Sequence, residues 1–373
     1  AAHDEPVTFH PTTPWTVGDA SRSLPHDSGV GHVTGEARYV EDTALRRPML
    51  EMWPLLSPFA RALIKNIDTS EAEKIPGVAC VLLARDIPGQ NNVGPVRHDE
   101  PALADGEVFY HGQVVAMVVG TDKRLCRRAA QSIKVDYEPL EPLLGIRQAM
   151  EANSYHTDPH RLSRGDVGTA LPAAPHRLTG TFEFGGQEHF YLETHAAWAE
   201  ATDDGGVHVV SSTQHPSEIQ AVVAEVLGIA RNMVVVEAPR MGGGFGGKET
   251  QGNLWAALAA LAAQKTGQPV RIQLDRDVDM TVTGKRHPFL AQFDVGYDDT
   301  GKLLAARIEL VSDGGWSLDL SQPVNDRALY HLDNAYYIPH VDFVGRVAKT
   351  NTVSHTAFRG FGGPQGMLVI EEI

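Results

Sequence analysis

The sequence predicts a mixed α/β fold of the α+β class, divided between two domains. Continuous apolar runs are typical of buried strands, and apolar residues that recur every three or four positions are typical of helices. Between these regular halves lies a stretch that proline and glycine interrupt, as in a linker. We expect a tail over residues 1–24, a first domain over 25–144, a linker over 145–177 and a second domain over 178–373.

The first domain shows strand, helix and strand in succession. Residues 113–120 form a continuous apolar run that predicts a buried strand. Asp122 can accept hydrogen bonds from the first turn of a helix over Lys123–Gln131. Residues 133–137 alternate between apolar and polar side chains and predict a half-buried strand.

The second domain shows the same mixture of elements. Helices are predicted from Pro216 to Gly228 and over Asn253–Gln264, because their apolar residues follow the helical period and a glycine ends each one. Strands are predicted at the following segments: residues 207–212, 233–236, 270–274, 289–312 and 341–350. The amphipathic helical pattern of Gln365–Ile373 stops without a capping residue, so we expect that the chain is cut inside a domain.

The composition excludes several classes of partner. The 32 Lys and Arg residues and 47 Asp and Glu residues give a formal net charge of −15, which predicts no nucleic-acid partner because phosphate binding depends on clustered Lys and Arg. No segment approaches the roughly 18 consecutive apolar residues of a membrane span. We therefore expect a cytoplasmic protein without a membrane partner. Cys80 and Cys126 form no metal-binding motif and are expected to be reduced, buried thiols.

The most distinctive segment is Met241–Glu249, here called the glycine loop, with five glycines in six positions between a predicted strand and a predicted helix. Such a backbone can approach a ligand closely, and the following helix start favours an anion. Gly242 and Gly247-Lys248 also fit the phosphate loop of nucleotide hydrolases. The next residue there should be Ser or Thr, whereas this chain has Glu249, which argues against nucleotide hydrolysis.

The glycine loop resembles the cofactor loop of the xanthine dehydrogenase and aldehyde oxidase family of molybdenum hydroxylases. Further stretches resemble the same family and keep its order along the chain: Leu24–Asp27, Val33–Ala37, Gly186–Glu193, Ser212–Gln214, Thr283–Pro288, Asp326–Leu329 and Thr356–Gln365. The resemblance runs from about residue 22 to the end of the sequence. It implies a hammerhead-type α/β domain followed by the first part of a molybdopterin-binding α+β domain.

The resemblance also assigns cofactor contacts. Gln214, Phe245 and Arg359 match family positions that contact the molybdenum–molybdopterin cofactor, with the backbone of Gly244 and Gly246 beside them. An amide can hydrogen-bond a metal-oxo group, and a guanidinium suits an oxyanion or a pterin edge. No residue of the chain is expected to ligate the metal directly.

Glu249 and Arg327 match the pair that brackets a purine in xanthine dehydrogenases and takes part in catalysis. A carboxyl group can bond ring nitrogens and an exocyclic oxygen, and a guanidinium can stabilise negative charge that builds on the substrate. A surface ion pair is the alternative for each residue. Phe361 matches a phenylalanine that stacks on the substrate ring, although a core position explains it equally well.

The resemblance implies an oxidoreductase that hydroxylates xanthine or hypoxanthine to urate, with water as the oxygen source. The family's general base and second stacking phenylalanine lie beyond Ile373, so this chain alone is expected to be inactive. The expected partners are the remaining half of the molybdenum domain and an iron–sulfur/flavin domain or subunit that carries [2Fe–2S] clusters and FAD, with NAD as acceptor. We expect a hetero-oligomer.

Three alternatives stay open. The chain could belong to a hydroxylase of aldehydes or of other N-heterocycles in the same family, or it could be a non-catalytic assembly module. A phosphate-loop nucleotide binder is the third.

Two metal-site patterns are also rejected. Asp275–Asp279 has alternating carboxylates like a calcium loop, but Met280 stands where the turn glycine should be, so we expect a solvated, helix-capping loop. The histidines form no HExxH motif, and we predict no zinc site.

Overall fold

The structure is a computed structural model that describes residues 26–45 and 47–373. The predicted tail over residues 1–24 and the first two residues of the Leu24–Asp27 motif lie outside the described residues. The helices are α1 Gly29–Thr34, α2 Val40–Ala44, α3 Ser70–Glu73, α4 Lys123–Ser132, α5 Ile146–Glu151, α6 Val167–Ala173, α7 Pro216–Leu227, α8 Asn253–Thr266, α9 Arg276–Val282, α10 Ser321–Tyr330 and α11 Gly363–Glu372. The strands are β1 Leu50–Leu56, β2 Ala62–Asp68, β3 Val78–Leu82, β4 Glu107–Val108, β5 Val114–Gly120, β6 Lys134–Pro139, β7 His160–Arg164, β8 His176–Phe184, β9 Ala196–Ala201, β10 Val207–Ser211, β11 Val234–Glu237, β12 Val270–Gln273, β13 Phe289–Tyr297, β14 Leu303–Asp313 and β15 His340–Ala348.

The largest sheet has seven strands in the order β11-β10-β9-β12-β1-β5-β3. Strands from both halves of the chain meet in it, because β1 pairs in parallel with β12 through Leu50 opposite Val270. Helices α7 and α8 cover one face and enclose the main apolar core, while α4 packs on β1 and β5. The two halves are therefore joined by backbone hydrogen bonds, and the division into two domains stays a prediction.

A second sheet has five strands in the order β7-β15-β14-β13-β8. Helix α10 packs on it and α11 packs on α10, and together they bury a second core that includes Phe289, Phe343 and Leu329. A small sheet, β4-β2-β6, completes the first half. The mixed α+β class predicted from the sequence is confirmed by these three sheets and their helices.

Local patterns located most elements correctly. Every residue of β5 is buried, as its continuous apolar run predicts, and Asp122 accepts a hydrogen bond from Leu125 N at the start of α4. Gly228 and Gly267 end α7 and α8 in the left-handed conformation. Cys126 is buried and Cys80 is half-buried, and both are free thiols.

The stretch expected to be a linker, residues 145–177, contains α5, β7 and α6. Strand β7 pairs with β15 at the edge of the five-stranded sheet, so this stretch contributes to a sheet rather than only connecting two units. Its proline and glycine residues do not prevent regular structure, since Pro172 lies inside α6. In the part of the chain that the structure describes, no helix is both long and apolar enough to cross a membrane.

Candidate cofactor and substrate site

The glycine loop lies between the end of β11 and the start of α8, against two other segments of the chain. A Cβ atom at Gly244 would lie 2.5 Å from Gln214 Oε1. Gly246 has a φ of +99°, and a Cβ atom there would lie 2.6 Å from the Ala357 carbonyl oxygen. The backbone contact therefore requires glycine at Gly246 independently of any bound group, and Gly244 lets the Gln214 side chain approach the loop closely.

Gln214 holds the centre of the loop. Its Oε1 atom accepts hydrogen bonds from Gly246 N at 2.9 Å and Lys248 N at 3.3 Å, and its own backbone N donates to Lys248 O at 2.8 Å. The side chain is exposed, and among the described residues its amide nitrogen donates to no other group. Gln214 thus fixes the loop with its oxygen and leaves a donor on the surface.

The predicted contacts from the end of the chain lie beside this surface. Arg359 N donates to Phe245 O at 2.8 Å, which joins residues 356–361 to the glycine loop. The Phe245 side chain is 50% exposed, and the Arg359 side chain is exposed as well. The structure therefore brings Arg359 beside Gln214 and Phe245, although it follows both of them by more than a hundred residues in the sequence.

A buried ion pair supports the loop from below. Lys248 is fully buried, and its Nζ donates to Glu193 O at 2.7 Å and to Ser212 Oγ at 2.8 Å. Nζ also lies 3.3 Å from Glu193 Oε2 and 4.6 Å from the centre of the Tyr191 ring. Burial lowers the pKa of Lys248, and the Glu193 charge opposes that shift.

Glu193 completes this anchor, because its Oε2 atom also accepts from Gly242 N at 2.8 Å. One carboxylate therefore holds the first glycine of the loop and, through Lys248, its last turn. The sequence points to Lys248 only through the phosphate-loop alternative and assigns no role to Glu193. The sequence contained one clue to this pair: Glu193 ends the Gly186–Glu193 motif, Lys248 lies in the glycine loop, and both segments resemble the same family.

Asp279 corrects an expectation. It was predicted to lie on a solvated, helix-capping loop, but it is fully buried, and it accepts from Tyr191 OH at 2.7 Å and His195 N at 2.7 Å. The cause is α9, which begins at Arg276 and turns Asp279 towards the glycine-loop support. Asp275 occupies the N-cap position without a side-chain capping hydrogen bond.

Glu249 ends the loop as a half-buried residue. Burial raises its pKa, while His215 opposes the shift and Glu218 adds to it. Within residues 26–45 and 47–373, no ion pair or side-chain hydrogen bond is formed by Glu249. The surface ion pair that the sequence left open as an alternative is therefore not its role within this part of the chain.

Arg327 is exposed on α10 and also belongs to no ion pair among the described residues. Residues 358–363 connect it to the glycine loop, because Arg359 bonds Phe245 while Gly362 lies against the Val324 carbonyl of α10. Glu249 and Arg327 do not touch each other. The structure places them on separate elements joined by one connecting segment.

Phe361 lies in the same segment with a φ of +49°. Its side chain is half-buried and packs against the core of the five-stranded sheet. Core packing therefore accounts for one side of the ring, and stacking on a substrate stays a prediction for the other.

A further cluster, missed by sequence analysis, stabilises residues 356–359. The His189 ring stacks on Phe358 at 4.5 Å, and His189 Nε2 lies 2.7 Å from Ala357 O. The Arg286 guanidinium lies 3.8 Å from the centre of the Phe358 ring and donates to Arg359 O at 2.9 Å. Arg359 is thus held by its backbone, and its side chain remains exposed.

Two family models match the chain. The molybdopterin cofactor-binding domain matches residues 148–373, and the a/b hammerhead domain of aldehyde oxidase and xanthine dehydrogenase matches residues 34–141.

Curated relatives and solved structures agree with these matches. Xanthine dehydrogenase/oxidase of Felis catus is 43% identical over 351 residues, which cover 94% of this chain and 26% of that protein. Xanthine dehydrogenase of Dictyostelium discoideum is 40% identical over 373 residues, 99% of this chain and 27% of that protein. The aldehyde oxidoreductase structure from Desulfovibrio gigas superposes with a TM-score of 0.86 at 29% identity, covering 93% of this chain and 40% of that one. Quinoline 2-oxidoreductase from Pseudomonas putida 86 gives 0.83 at 27% identity, covering 91% and 46%.

The chain belongs to the xanthine dehydrogenase and aldehyde oxidase family of molybdenum hydroxylases, and it contains a hammerhead domain and a molybdopterin cofactor-binding domain. It spans about a quarter of the length of the curated relatives that it matches.

The residues of the glycine-loop surface fit a molybdenum–pterin group. Gln214 presents an amide donor that no described residue uses, Phe245 presents a half-exposed ring on a close-packed backbone, and Arg359 presents an exposed cation. These groups suit oxo, aromatic and anionic parts of such a cofactor respectively. Among the described residues, no group of three or more His, Cys, Asp or Glu side chains could hold a metal ion by itself.

Proposed function

We propose that this chain forms one wall of a purine-hydroxylating molybdenum centre that converts xanthine or hypoxanthine to urate. The observation that carries the proposal is Glu249, a half-buried carboxyl group with a raised pKa and no protein partner in the described chain, at the end of the cofactor loop. Its carboxyl oxygens remain accessible from the surface. A carboxyl group that is partly shielded from water and has no protein partner can hydrogen-bond a ligand bound beside it.

Gln214, Phe245 and Arg359 would hold the cofactor, with the backbone of Gly244 and Gly246 beside it. When bound, that group supplies the two-electron redox chemistry that hydroxylation beside a ring nitrogen requires. Glu249, with its raised pKa, retains its proton closer to neutrality than an exposed glutamate and can donate or accept a hydrogen bond at the purine edge.

Arg327 would supply a permanent positive charge from α10. A cation at that place would stabilise negative charge that develops on the purine during attack. It would therefore lower the activation barrier in addition to strengthening substrate binding. Phe361 would contact the planar ring with its exposed side. The general base and a second stacking ring are proposed to come from family sequence that follows Ile373.

Iron–sulfur clusters and FAD on other domains or subunits of a hetero-oligomer would carry electrons to NAD in the cytoplasm. The isolated chain is then expected to retain no molybdenum and to oxidise no xanthine. Xanthine oxidation by the isolated chain would contradict this part of the proposal.

A second candidate is the hydroxylation of aldehydes or other N-heterocycles, which the structural likeness to aldehyde and quinoline oxidoreductases favours. The test is a panel of xanthine, hypoxanthine, benzaldehyde and quinoline offered to the holoenzyme that contains this chain. We expect the highest kcat/KM for the two purines. Turnover of benzaldehyde or quinoline alone would establish the second candidate instead. A loaded holoenzyme that oxidises none of the four would favour the non-catalytic assembly module.

Substitution of the bracketing pair gives the sharper test. Glu249→Gln removes the charge and changes the hydrogen-bonding pattern, and Arg327→Met removes the cation, so each should lower kcat/KM for xanthine on the order of 100-fold or more, as loss of one stabilising donor does. Glu225→Gln, the same change at an exposed position on α7, is the control and should leave kcat/KM unaltered. A wild-type value of kcat/KM in both variants would show that Glu249 and Arg327 do not act on the substrate.

A further inference from the structure

Asp319 lies in the connection between β14 and α10 and is almost completely buried, with 1% exposure. Its φ of +40° is uncommon for a residue other than glycine. Backbone conformations of this kind persist where surrounding contacts enforce them. We therefore expect the contacts of the Asp319 carboxylate to hold this backbone conformation in place.

Three hydrogen-bond donors converge on it. Thr250 Oγ1 lies 2.8 Å from Asp319 Oδ2, and Gln251 Nε2 donates to the same oxygen at 2.6 Å. Thr356 Oγ1 donates to Asp319 Oδ1 at 3.0 Å. Gln251 in turn accepts from Gly284 N at 2.8 Å, so the Thr283–Pro288 motif joins the same network.

The donors are the immediate neighbours of the proposed site residues. Thr250 directly follows Glu249, and Thr356 begins the segment that leads to Arg359. On its other side, Asp319 precedes α10 by two residues, and Arg327 lies on that helix. From Ser321 to Arg327 the helix rises roughly 9 Å as a rigid rod. Fixing the start of α10 against Thr250 therefore fixes Arg327 relative to Glu249.

We propose that Asp319 is a positioning residue whose carboxylate sets the placement of Glu249 relative to Arg327. The inference rests on the function proposed above for that pair. Asp319 acts only through Thr250, Gln251 and Thr356, and it contacts none of the predicted substrate or cofactor residues through its side chain.

The first half of the chain adds to this arrangement. Ser317 Oγ donates to Glu100 Oε2 at 2.9 Å, and Leu318 N donates to Asp99 Oδ2 at 3.2 Å. Burial and the Asp319 charge raise the pKa of Glu100 to about 8, whereas burial raises the pKa of Asp319 to about 7 against the effect of its hydrogen bonds. Asp319 accepts more hydrogen bonds than Glu100, and these bonds favour its ionised form.

The test uses the holoenzyme, with kcat and KM expressed per bound molybdenum. Asp319→Asn replaces an acceptor by a donor that faces other donors, and misplacement of reacting groups by about 1 Å can lower a rate about 100-fold. We expect kcat/KM to fall about 10- to 100-fold, with a raised KM. Asp313→Asn is the matched control, because Asp313 is also buried, at 4% exposure, but bonds Gly315 N and Thr350 Oγ1 and faces His355 instead of Thr250. It should lower the melting temperature without altering KM.

A second pair of variants covers the case in which Asp319→Asn does not fold. Thr250→Val removes one donor at nearly constant shape, and Thr250→Ser keeps it. KM should rise in the first and return to the wild-type value in the second. Unaltered kcat and KM per molybdenum in Asp319→Asn, or in Thr250→Val where the former does not fold, would overturn the proposal, as would an equal change of KM in Asp313→Asn.

The wild-type substrate panel keeps the two proposals apart. If the wild-type enzyme oxidises benzaldehyde or quinoline but not xanthine, the purine proposal fails, and the variants are compared on the substrate that is oxidised. A wild-type holoenzyme that oxidises no member of the panel overturns both proposals.

Discussion

His156 provides a prediction whose magnitude follows directly from the structure. The ring is buried, with 7% exposure, and its Nε2 lies 2.9 Å from the Gly315 carbonyl oxygen. Burial lowers its pKa from 6.5 to about 4, and the carbonyl opposes that shift. The unfolded chain therefore binds a proton at this residue between these two values, and the folded chain does not.

The change in the free energy of unfolding with pH follows from proton linkage at His156. Because the folded pKa is depressed for a base, the folded state loses stability as the pH falls below 6.5, and the loss levels off below about pH 4. Between pH 7.5 and pH 5 the loss from this one ring is about 2 kcal/mol. The raised pKa values of Glu100 and Asp319 act in the opposite direction, since their folded forms bind protons more readily. The total change in the free energy of unfolding therefore does not isolate His156. The change has to be compared between the wild type and a variant that lacks the imidazole.

His156→Gln isolates the contribution, because glutamine can keep a donor near the Gly315 carbonyl and does not titrate. Urea unfolding of the wild-type chain and the variant is measured at pH 7.5 and at pH 5. The wild type should lose about 2 kcal/mol more than the variant over this interval. Equal losses would show that His156 is protonated, or solvated, in the folded state and would refute the reasoning.

Two further predictions concern the support of the glycine loop. Lys248→Met should lower the free energy of unfolding, measured with urea, by about 3–5 kcal/mol, because it leaves the charge of the Glu193 carboxylate uncompensated beneath the loop. A change below about 1 kcal/mol would mean that Glu193 is protonated or hydrated there. Gly246→Ala should reduce the molybdenum content of the holoenzyme, measured by metal analysis, because the new Cβ would lie 2.6 Å from the Ala357 oxygen. Gly267→Ala is its control, since that position also has positive φ but nothing lies within 4 Å, and it should cost about 1 kcal/mol of stability while the metal content stays normal.

The sequence predicts well wherever a structural cause is local. The apolar run of β5, the cap at Asp122 and the left-handed glycines that end α7 and α8 each depend on residues a few positions apart. The glycine loop belongs to the same category, because its composition is unusual by itself. Family motifs then add residues that local patterns do not distinguish, such as Gln214.

The sequence predicts poorly where distant segments meet. The pairing of β1 with β12 joins residues more than two hundred positions apart, and neither strand carries a mark of its partner. Asp279 appeared solvated because its neighbours are charged, and only the packing of α9 against Tyr191 buries it. The burial of Lys248 and the convergence of donors on Asp319 have the same origin. Each depends on contacts between motifs, which no single motif contains.

The two buried polar networks explain how a glycine-rich loop can serve as a fixed surface. Glycine increases the conformational freedom of a chain, and ordering it costs more entropy than ordering any other residue. A cofactor contact needs the reverse, a backbone held in one place before the ligand arrives. Glu193 and Lys248 hold the start and the last turn of the loop, and Asp319 holds the residues that follow it. The glycines permit close approach, and these buried charged groups restore the rigidity that the glycines remove.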